Sequence, residues 1–376
     1  MDVLVVAGEA SGDQHAAGVV AALRRQRPEL RFFGMGGPKL AAQGLEVVHG
    51  AHELSVMGLV EVLPKVPRIW RVMGDLERAA KERRPACALL VDVPDFNLRL
   101  AKRLKALDIP VVGYVAPTVW AWREGRTKTI ARRYDRLLCI LPFEEQFLRE
   151  RGVNATYIGN PVLDQVPAVA EPAVFRRSLD LAADRPILAV LPGSRRGEIA
   201  RILPTLVEVC RRVRALRPGV QFVIPVAPGL PRELLTGPFE GTGLSPVFID
   251  GRAPEVVGAS DVAVVASGTA TLEAGLMRRP MVVVYRVNPL SYAVGKVLVK
   301  IPFFSLVNLL AGKRVVPELL QGEFTAERVV QQLEPLWDGP AREACLAGLD
   351  EVRAVLGPKG ASERAADAVI AHLTRA

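Results

Sequence analysis

The chain has 376 residues, of which 50% are hydrophobic and 24% are charged, and its formal net charge is +9. This composition excludes a largely disordered protein, and the length predicts two domains that each bury a core. The basic excess indicates anionic partners, such as phosphates or an acidic membrane face. We expect no nucleic-acid partner, because no zinc-finger spacing, aromatic-interleaved basic stripe or RNA-binding signature accompanies the charge.

The scattered cysteines and histidines predict neither a metal site nor disulfides, and we expect the four cysteines to be buried thiols. Met1 leads at once into an apolar strand, without the basic region and cleavage site of a secretory signal, which predicts a cytoplasmic protein. The most apolar late segment, 293–311, contains Lys296, Lys300 and Pro302 and is therefore not expected to span a membrane.

Apolar strands alternate with helical patterns along the first half of the chain, and the alternation restarts near residue 187. This rhythm predicts an α/β protein with two doubly wound parallel-sheet domains. The run from Gly159 to Pro172, which contains three prolines, indicates a linker. We expect domains at 1–164 and 165–342, and helices over 343–376 that fold back on the first domain.

The first strand runs into the glycine turn Gly8-Glu9-Ala10-Ser11-Gly12-Asp13. Ligands of open α/β sheets bind where strands end, so we expect this turn to face a cleft between the domains. Ser11 or Asp13 is predicted to cap the turn, and Ser11 and Gly12 are expected to bind substrate. His15 follows in the helix and ranks low as a base, because a single histidine there more often packs or caps.

The segment 55–73 combines an apolar stripe with a basic line formed by Lys65, Arg68 and Arg71. This pattern favours an interfacial membrane element, and Trp70 among arginines suits a headgroup region. The alternative is a helix that buries its stripe in the core. The expected membrane or acyl contacts are Leu59, Val60, Leu63, Val66, Ile69 and Trp70.

A later strand ends in Asp92-Val93-Pro94-Asp95. Asp92 stands at the strand end and is the preferred catalytic base, with turn capping as the alternative. Asp95 lies where a cap for the next helix belongs, and with Glu9 it is a further candidate for the catalytic proton transfer. Trp120 and Trp122 follow another strand and either wall a substrate cleft or pack beneath it.

In the second half, a strand ends in Leu191-Pro192-Gly193-Ser194-Arg195. A hydroxyl and a guanidinium at that point are suited to phosphate, so Ser194 and Arg195 are predicted to bind a diphosphate. Arg196 is interpreted as a solvated neighbour.

The strand Val262–Val265 runs into small residues at a helix start, a typical anion cradle. The residues expected to hold phosphate are Gly268, Thr269, Ala270 and Thr271. Glu273 follows one turn later, where a carboxylate can accept both hydroxyls of a ribose. Together these features predict a nucleotide-sugar site, with a capped structural helix as the alternative.

The chain resembles lipid-A-disaccharide synthases in six motifs that occur in the same order over nearly its whole length. The motifs are Gly8–Asp13, Leu54–Gly58, Asp92–Asn97, Pro117–Trp122, Leu191–Arg195 and Ser267–Glu273. Asn308-Leu309-Leu310 and Val316–Gln321 also resemble a late motif of that family.

The resemblance implies a B-type glycosyltransferase with two Rossmann-like domains facing a cleft. It implies inverting transfer of 2,3-diacylglucosamine from UDP-2,3-diacylglucosamine to 2,3-diacylglucosamine 1-phosphate, with β-1,6 linkage and release of UDP. It places Glu273 on the ribose and Asn308 and Gln321 near the donor, with Glu9 orienting the acceptor or the base. No metal or other cofactor is expected. The implied location is the cytoplasmic face of the inner membrane, whose anionic surface the protein contacts peripherally, as a monomer or a homodimer, the latter open to swapping.

Two other functions remain open from the residues alone. A nucleotide-sugar epimerase of the same architecture would use the donor motifs without an apolar landing segment. A non-catalytic lipid-binding protein would explain the segment around Trp70, but not Arg195 and Glu273 together.

Overall fold

In the computed structural model, which describes residues 1–53, 66–168, 171–288, 292 and 301–373, the chain divides into two compact units. The first consists of Met1–Asp164 with Pro358–Ala376, and the second of Gln165–Gly357. Each unit has a parallel sheet of its own, as the alternation of strands and helices predicts.

The first unit contains, among its described residues, a seven-stranded sheet in the order β3-β2-β1-β4-β5-β6-β7. Its strands are β1 Asp2–Ala7, β2 Arg31–Gly36, β3 Leu45–Gly50, β4 Cys87–Val91, β5 Val111–Tyr114, β6 Arg136–Cys139 and β7 Ala155–Tyr157. Paired strands run parallel throughout these pairings. Residues 3–7 and 87–91 are buried without alternation, as expected for strands covered on both faces.

The helices around this sheet come from the segments between its strands and from the segment after β7. They are α1 Ala10–Gln26, α2 Pro38–Ala42, α3 Val66–Arg83, α4 Pro94–Lys105, α5 Thr127–Arg133, α6 Pro142–Arg149 and α7 Val162–Gln165, with short 3-10 helices at Ala51–Glu53 and Glu124–Arg126. In α1, residues Ala16, Val19, Val20 and Leu23 are buried, which is the spacing of one helix face. That face packs on β1 and β4.

The second unit contains, within the described part of the chain, a six-stranded sheet in the order β10-β9-β8-β11-β12-β13. Its strands are β8 Ile187–Leu191, β9 Gln221–Val226, β10 Val247–Asp250, β11 Val262–Ala266, β12 Met281–Tyr285 and β13 Glu318–Leu320. The order reverses between β8 and β11, as it does between β1 and β4 in the first unit. Such a reversal opens a crevice at the carboxyl ends of the strands, where ligands of these sheets bind.

The helices of the second unit follow the same alternation. They are α8 Pro172–Ser178, α9 Arg196–Leu216, α10 Glu233–Thr236, α11 Ala253–Ala259, α12 Thr269–Leu276, α13 Leu306–Ala311, α14 Ala326–Leu333 and α15 Pro340–Val355, with 3-10 helices at Gly237–Phe239, Gln321–Glu323 and Glu334–Leu336. All four cysteines are free and buried, which confirms the prediction of unpaired thiols. Burial raises the pKa of Cys87 to about 12.

The expected helical block 343–376 is divided between the units. Helix α15 belongs to the second unit, where it packs against α12 and α13. The last helix, α16 Ala361–Leu373, belongs to the first unit and packs against α1. Gly18 permits this close approach, because a Cβ there would lie 2.6 Å from Ser362 Oγ. The carboxylate of Asp164 accepts the backbone N–H groups of Gly360 at 2.6 Å and Ser362 at 3.1 Å, which anchors the start of α16.

Candidate active site

The turn after β4 holds Asp92 in a constrained backbone conformation. Asp92 and Val93 both have left-handed backbones, with φ of +55° and +39°, which is unfavourable for a β-branched valine. The buried Asn97 donates from Nδ2 to Asp92 O at 2.6 Å and to Val91 O at 3.1 Å. Asp92 Oδ1 accepts the Val93 N–H at 2.9 Å. The surroundings thus fix the carboxylate at the strand end, a common arrangement at functional sites.

The start of α1 lies beside this carboxylate. A Cβ on Gly12 would be 3.5 Å from Asp92 Cβ, so the first turn of α1 packs directly on Asp92. The positive end of the helix dipole favours a charged carboxylate there. Glu9 is the N-cap of α1 and is half-buried. Since Ala7 and Val91 are partners in register, Glu9 and Asp92 follow neighbouring strands.

The predicted capping role of Ser11 or Asp13 in the glycine turn is wrong, because α1 already begins at Ala10 and includes both residues. Asp13 instead caps α2. Its carboxylate accepts the N–H groups of Gly37 at 2.7 Å, Lys39 at 3.0 Å and Leu40 at 3.2 Å.

His15 packs inside the first unit. Its ring lies 6.3 Å from that of Tyr114, centroid to centroid. Burial, assisted by the charge of Lys39, lowers the pKa of His15 to about 4. The imidazole is therefore neutral near pH 7, which fits the packing role expected of it.

Asp95 is the second residue of α4 and Val93 is the N-cap, so the expected capping role of Asp95 is wrong. The Asp95 side chain is 66% exposed. It forms an ion pair with Arg126, and Arg123 Nη1 lies 4.0 Å from the same carboxylate oxygen.

The loop after β5 places Trp120 against a buried carboxylate that the sequence did not single out. The Trp120 indole N–H donates to Glu144 Oε1 at 3.0 Å, and its ring meets Phe143 edge-on at 5.0 Å. Glu144 Oε2 accepts the Leu141 N–H at 3.1 Å, so Glu144 also closes the start of α6. The only sequence signal for this carboxylate is a glutamate two positions after Pro142. That pattern indicates an ordinary helix start and does not predict the contact with Trp120.

The segment around Trp70 is partly core and partly surface. In α3, Val72, Met73 and Leu76 are buried and Ile69 packs on the same core. Ile69 thus lies on the core face of α3, where it is partly buried, and its membrane contact stays a prediction. Trp70 lies off that face, is 45% exposed, and has guanidinium groups of α4 over its ring. Those of Arg99 and Arg103 lie 5.7 and 5.5 Å from the ring centroid.

Val66, the first residue of α3, is partly buried. The predicted contacts Leu59, Val60 and Leu63, with the motif Leu54–Gly58, lie outside the described residues. Within the described ranges, no helix combines the length and apolarity that crossing a bilayer requires.

In the second unit, the turn after β8 is built around Gly193. Its φ is +111°, and a Cβ there would lie 2.8 Å from Glu198 Oε2. Glu198 Oε1 accepts a hydrogen bond from Arg195 Nη1 at 3.2 Å. Arg195 is the N-cap of α9 with its side chain 43% exposed, and Ser194 is also exposed. Glu198 thus orients the guanidinium at the carboxyl edge of the sheet.

The turn after β11 is the predicted anion cradle. Gly268, with φ of +153°, is the N-cap of α12. Thr271 is buried, and its hydroxyl and N–H both donate to Gly268 O, at 2.8 and 3.1 Å. The helix start therefore presents the amides of Thr269 and Ala270, which lack intrahelical acceptors. Glu273 lies in the next turn and is partly buried.

These two turns lie side by side, because β8 and β11 are neighbours with Leu191 opposite Val265. Tyr285, at the end of the adjoining β12, interacts electrostatically with both Arg195 and Glu198. Burial raises the Tyr285 pKa, and so does Glu198, whereas Arg195 lowers it. The edge thus combines a guanidinium with a helix N-terminus, a suitable environment for a diphosphate.

Asn308 and Gln321 shape the neighbouring loops. Asn308 is fully buried and donates from Nδ2 to Val316 O and Glu318 Oε1, both at 2.8 Å. Its Oδ1 accepts the N–H groups of Val315 at 2.7 Å and Val316 at 2.9 Å. All its amide positions are thus used within the protein.

Gln321, which has a left-handed backbone, pairs its carboxamide with the N–H and C=O of Val287, both at 3.2 Å. Glu318, for which no local sequence pattern indicated a role, accepts from Ser305 N at 2.9 Å as well as from Asn308.

Comparison with known proteins gives one consistent family. A family model described as lipid-A-disaccharide synthetase matches residues 3–353. A lipid-A-disaccharide synthase from Myxococcus xanthus is 60% identical over 98% of this chain and 96% of that protein. One from Anaeromyxobacter sp. is 54% identical with the same shares covered.

Solved structures support the fold. A UDP complex of MnaA from S. aureus matches with a TM-score of 0.68 at 14% identity, over 99% of this chain and 97% of that one. This match confirms the predicted architecture of two Rossmann-like parallel-sheet domains. By its family match and its relatives, the chain belongs to the lipid-A-disaccharide synthetase family and is a glycosyltransferase of lipid A biosynthesis.

Proposed function

We propose that the chain transfers 2,3-diacylglucosamine from UDP-2,3-diacylglucosamine to 2,3-diacylglucosamine 1-phosphate. The products are a β-1,6-linked disaccharide 1-phosphate and UDP. Binding of the UDP-sugar donor is supported by the pair of turns after β8 and β11. Arg195 and the N-terminus of α12 follow adjacent strands there, so positive charge is concentrated where a diphosphate would bind.

In this proposal, Arg195, Ser194 and the amides of Thr269 and Ala270 bind the diphosphate. Glu273 accepts the ribose hydroxyls from the next turn of α12. The space beside Gly268 at the helix start is open, since a Cβ at that position would meet no atom within 4 Å among the described residues.

The other predicted donor residues act indirectly. Asn308 holds residues 315–318 in place through its four hydrogen bonds. Gln321 holds the backbone at Val287. Thr271 keeps the α12 start in shape through Gly268 O.

Asp92 is the proposed general base. It removes the proton of the acceptor 6-hydroxyl while that oxygen attacks the anomeric carbon of the donor. The bond between the anomeric carbon and the diphosphate oxygen breaks with its electron pair on UDP, and the configuration inverts. Arg195 and the α12 amides stabilise the charge on the leaving diphosphate. Glu9, at the end of the neighbouring strand, orients the acceptor.

Asp95 is the second candidate for the base. Asp92 is preferred because its turn is fixed by Asn97 and by its packing on Gly12, whereas Asp95 is exposed and paired with arginines. A base with a fixed position loses less entropy on reaching the reactive geometry.

We also propose that the protein associates peripherally with the cytoplasmic face of the inner membrane. Exposed Trp70, flanked by Arg99 and Arg103, offers an aromatic ring and positive charge together, a combination suited to anionic headgroups. The acyl chains of both lipids would be close to that surface.

The test uses purified protein in detergent micelles with UDP-diacylglucosamine, with and without diacylglucosamine 1-phosphate, followed by UDP release and lipid mass. The expected result is UDP together with a disaccharide phosphate, only when both lipids are present. UDP release without the acceptor would instead indicate hydrolase or epimerase chemistry. Lipid binding without any reaction would indicate a binding protein.

A further inference from the structure

Among the residues that the structure describes, two guanidinium groups converge on the Asp95 carboxylate. Arg126 is ion-paired with Asp95 Oδ1, and Arg123 Nη1 lies 4.0 Å from the same oxygen. Asp95 follows β4, whereas both arginines follow the neighbouring β5. Two positive charges therefore meet one negative charge at the carboxyl edge of the first sheet.

The nearest acidic residue in sequence is used elsewhere. Glu124 lies between the two arginines in the chain, but its Oε1 accepts from Arg151 Nε at 2.7 Å. The Arg123–Arg126–Asp95 cluster therefore carries a net positive charge. An exposed ion pair of this kind contributes little to folding stability, so stability does not explain why these charges converge.

The orientation of Arg123 is set by its neighbour in the chain. Arg123 has a left-handed backbone, with φ of +57°, and its guanidinium lies 4.1 Å from the centre of the Trp122 ring. Stacking on an aromatic face holds a guanidinium and leaves its N–H edge available for an anion. Arg126, whose side chain is 30% exposed, is the more sheltered of the pair.

The chemistry of this cluster fits a phosphate monoester better than a carboxylate. Two guanidinium groups match the charge and the several oxygens of a phosphate dianion, to which arginine can bind in bidentate fashion. Asp95, singly charged and 66% exposed, can be displaced toward solvent by such a ligand. Asp95 is the second residue of α4 and follows Asp92 by three positions, so the cluster is close in the chain to the proposed base.

We propose that Arg123 and Arg126 form the subsite for the 1-phosphate of the acceptor lipid, with Asp95 orienting both side chains until the phosphate replaces it. This inference rests on the proposed function. It names the residues by which the enzyme would select a phosphorylated acceptor. The subsite acts on the acceptor and not on the nucleotide sugar.

The test compares the wild type with an Arg123→Gln/Arg126→Gln double variant, using the phosphorylated acceptor and the same lipid without its phosphate. The double variant should raise KM for the phosphorylated acceptor about tenfold to a hundredfold and lose the preference for it. KM for the UDP-sugar should not change. Equal acceptor preference in both proteins, or an equal rise in donor KM, would overturn the proposal.

Arg132→Gln is the matched control. Arg132 is an exposed arginine of α5 that donates from Nε to Lys128 O at 3.2 Å, and it should behave as the wild type. A thermal unfolding curve for each variant separates lost binding from lost folding.

A binding experiment tests the phosphate subsite independently of catalytic turnover. Titration of each acceptor lipid in micelles, followed by tryptophan emission, should show tighter binding of the phosphorylated lipid to the wild type alone. That result without turnover would support the subsite while contradicting the proposed transfer. Phosphate-independent binding to the wild type would overturn the subsite, whatever the activity.

Discussion

The Trp120 indole N–H and Glu144 Oε1 form a hydrogen bond of 3.0 Å that joins the loop after β5 to the start of α6. Glu144 is only 1% exposed, and this burial raises its pKa to about 7, although its hydrogen bonds with Trp120 and Leu141 act in the opposite direction. The Cys139 thiol and the Tyr157 phenol, which interact with Glu144, have raised pKa values and remain neutral near pH 7. Glu144 is thus the member of this group expected to titrate near neutrality.

The raised pKa predicts a pH-dependent loss of stability. A carboxyl group whose pKa rises on folding binds more protons in the folded state than in the unfolded state. Its contribution to the free energy of unfolding therefore declines as the pH rises from 4.5, the ordinary pKa, to about 7, the pKa in the folded protein. Glu144→Gln keeps an acceptor for the indole and does not ionise. Relative to this variant, the wild type should lose about 2–3 kcal/mol of unfolding free energy between about pH 5 and pH 8, as measured by urea unfolding.

Glu145→Gln is the control for this experiment, because Glu145 accepts the Tyr157 N–H at 3.0 Å and pairs with Arg149. It should change the pH slope much less. The same slope for the wild type and Glu144→Gln would contradict the assignment of the titration to Glu144.

Asp92→Asn should reduce kcat about 10²- to 10⁴-fold, because the amide still accepts the Val93 N–H but is no longer a base. The fold and the KM for the UDP-sugar should be retained. Initial rates at saturating concentrations of both lipids measure the loss. A rate within a few-fold of the wild type would remove Asp92 from the proton transfer.

Asp95→Asn distinguishes the two aspartates. With Asp92 as the base and Asp95 as the partner of Arg123 and Arg126, this variant should retain a kcat within about tenfold of the wild type. Its affinity for the phosphorylated acceptor should be equal or higher, because the competing carboxylate is gone. A loss of kcat as large as that expected for Asp92→Asn would assign proton transfer to Asp95.

Arg195→Gln should lower kcat/KM for the donor about 100-fold, because one charge-assisted contact to the diphosphate is lost in both binding and departure. Arg196→Gln is the matched control, since Arg196 is the exposed first residue of α9. Steady-state kinetics with varied UDP-sugar give both values. Equal effects at the two positions would indicate a general charge effect and not a specific contact.

The sequence predicted well which of the candidate residues lie at the ends of strands. Asp92, Arg195 and Gly268 all follow buried strands, because an apolar run and a small or polar residue after it define that position locally. Membership of the family followed from motifs in order, which a single chain shows directly.

The partners of particular side chains were harder to predict. Asp13 caps α2, a helix more than twenty residues away, and Asn308 is saturated by the backbone of residues 315 and 316 together with the carboxylate of Glu318. Glu144, in the first turn of α6, accepts a hydrogen bond from Trp120 in the loop after β5. Each of these contacts depends on which strands become neighbours, and local sequence patterns do not determine that order.

The proposed transfer is tested most directly by identifying the linkage of the product by NMR while quantifying UDP from the same reaction. We expect one UDP for each disaccharide 1-phosphate and a β linkage to the acceptor 6-position. An α linkage, attachment at another hydroxyl, or UDP formed without disaccharide would contradict it.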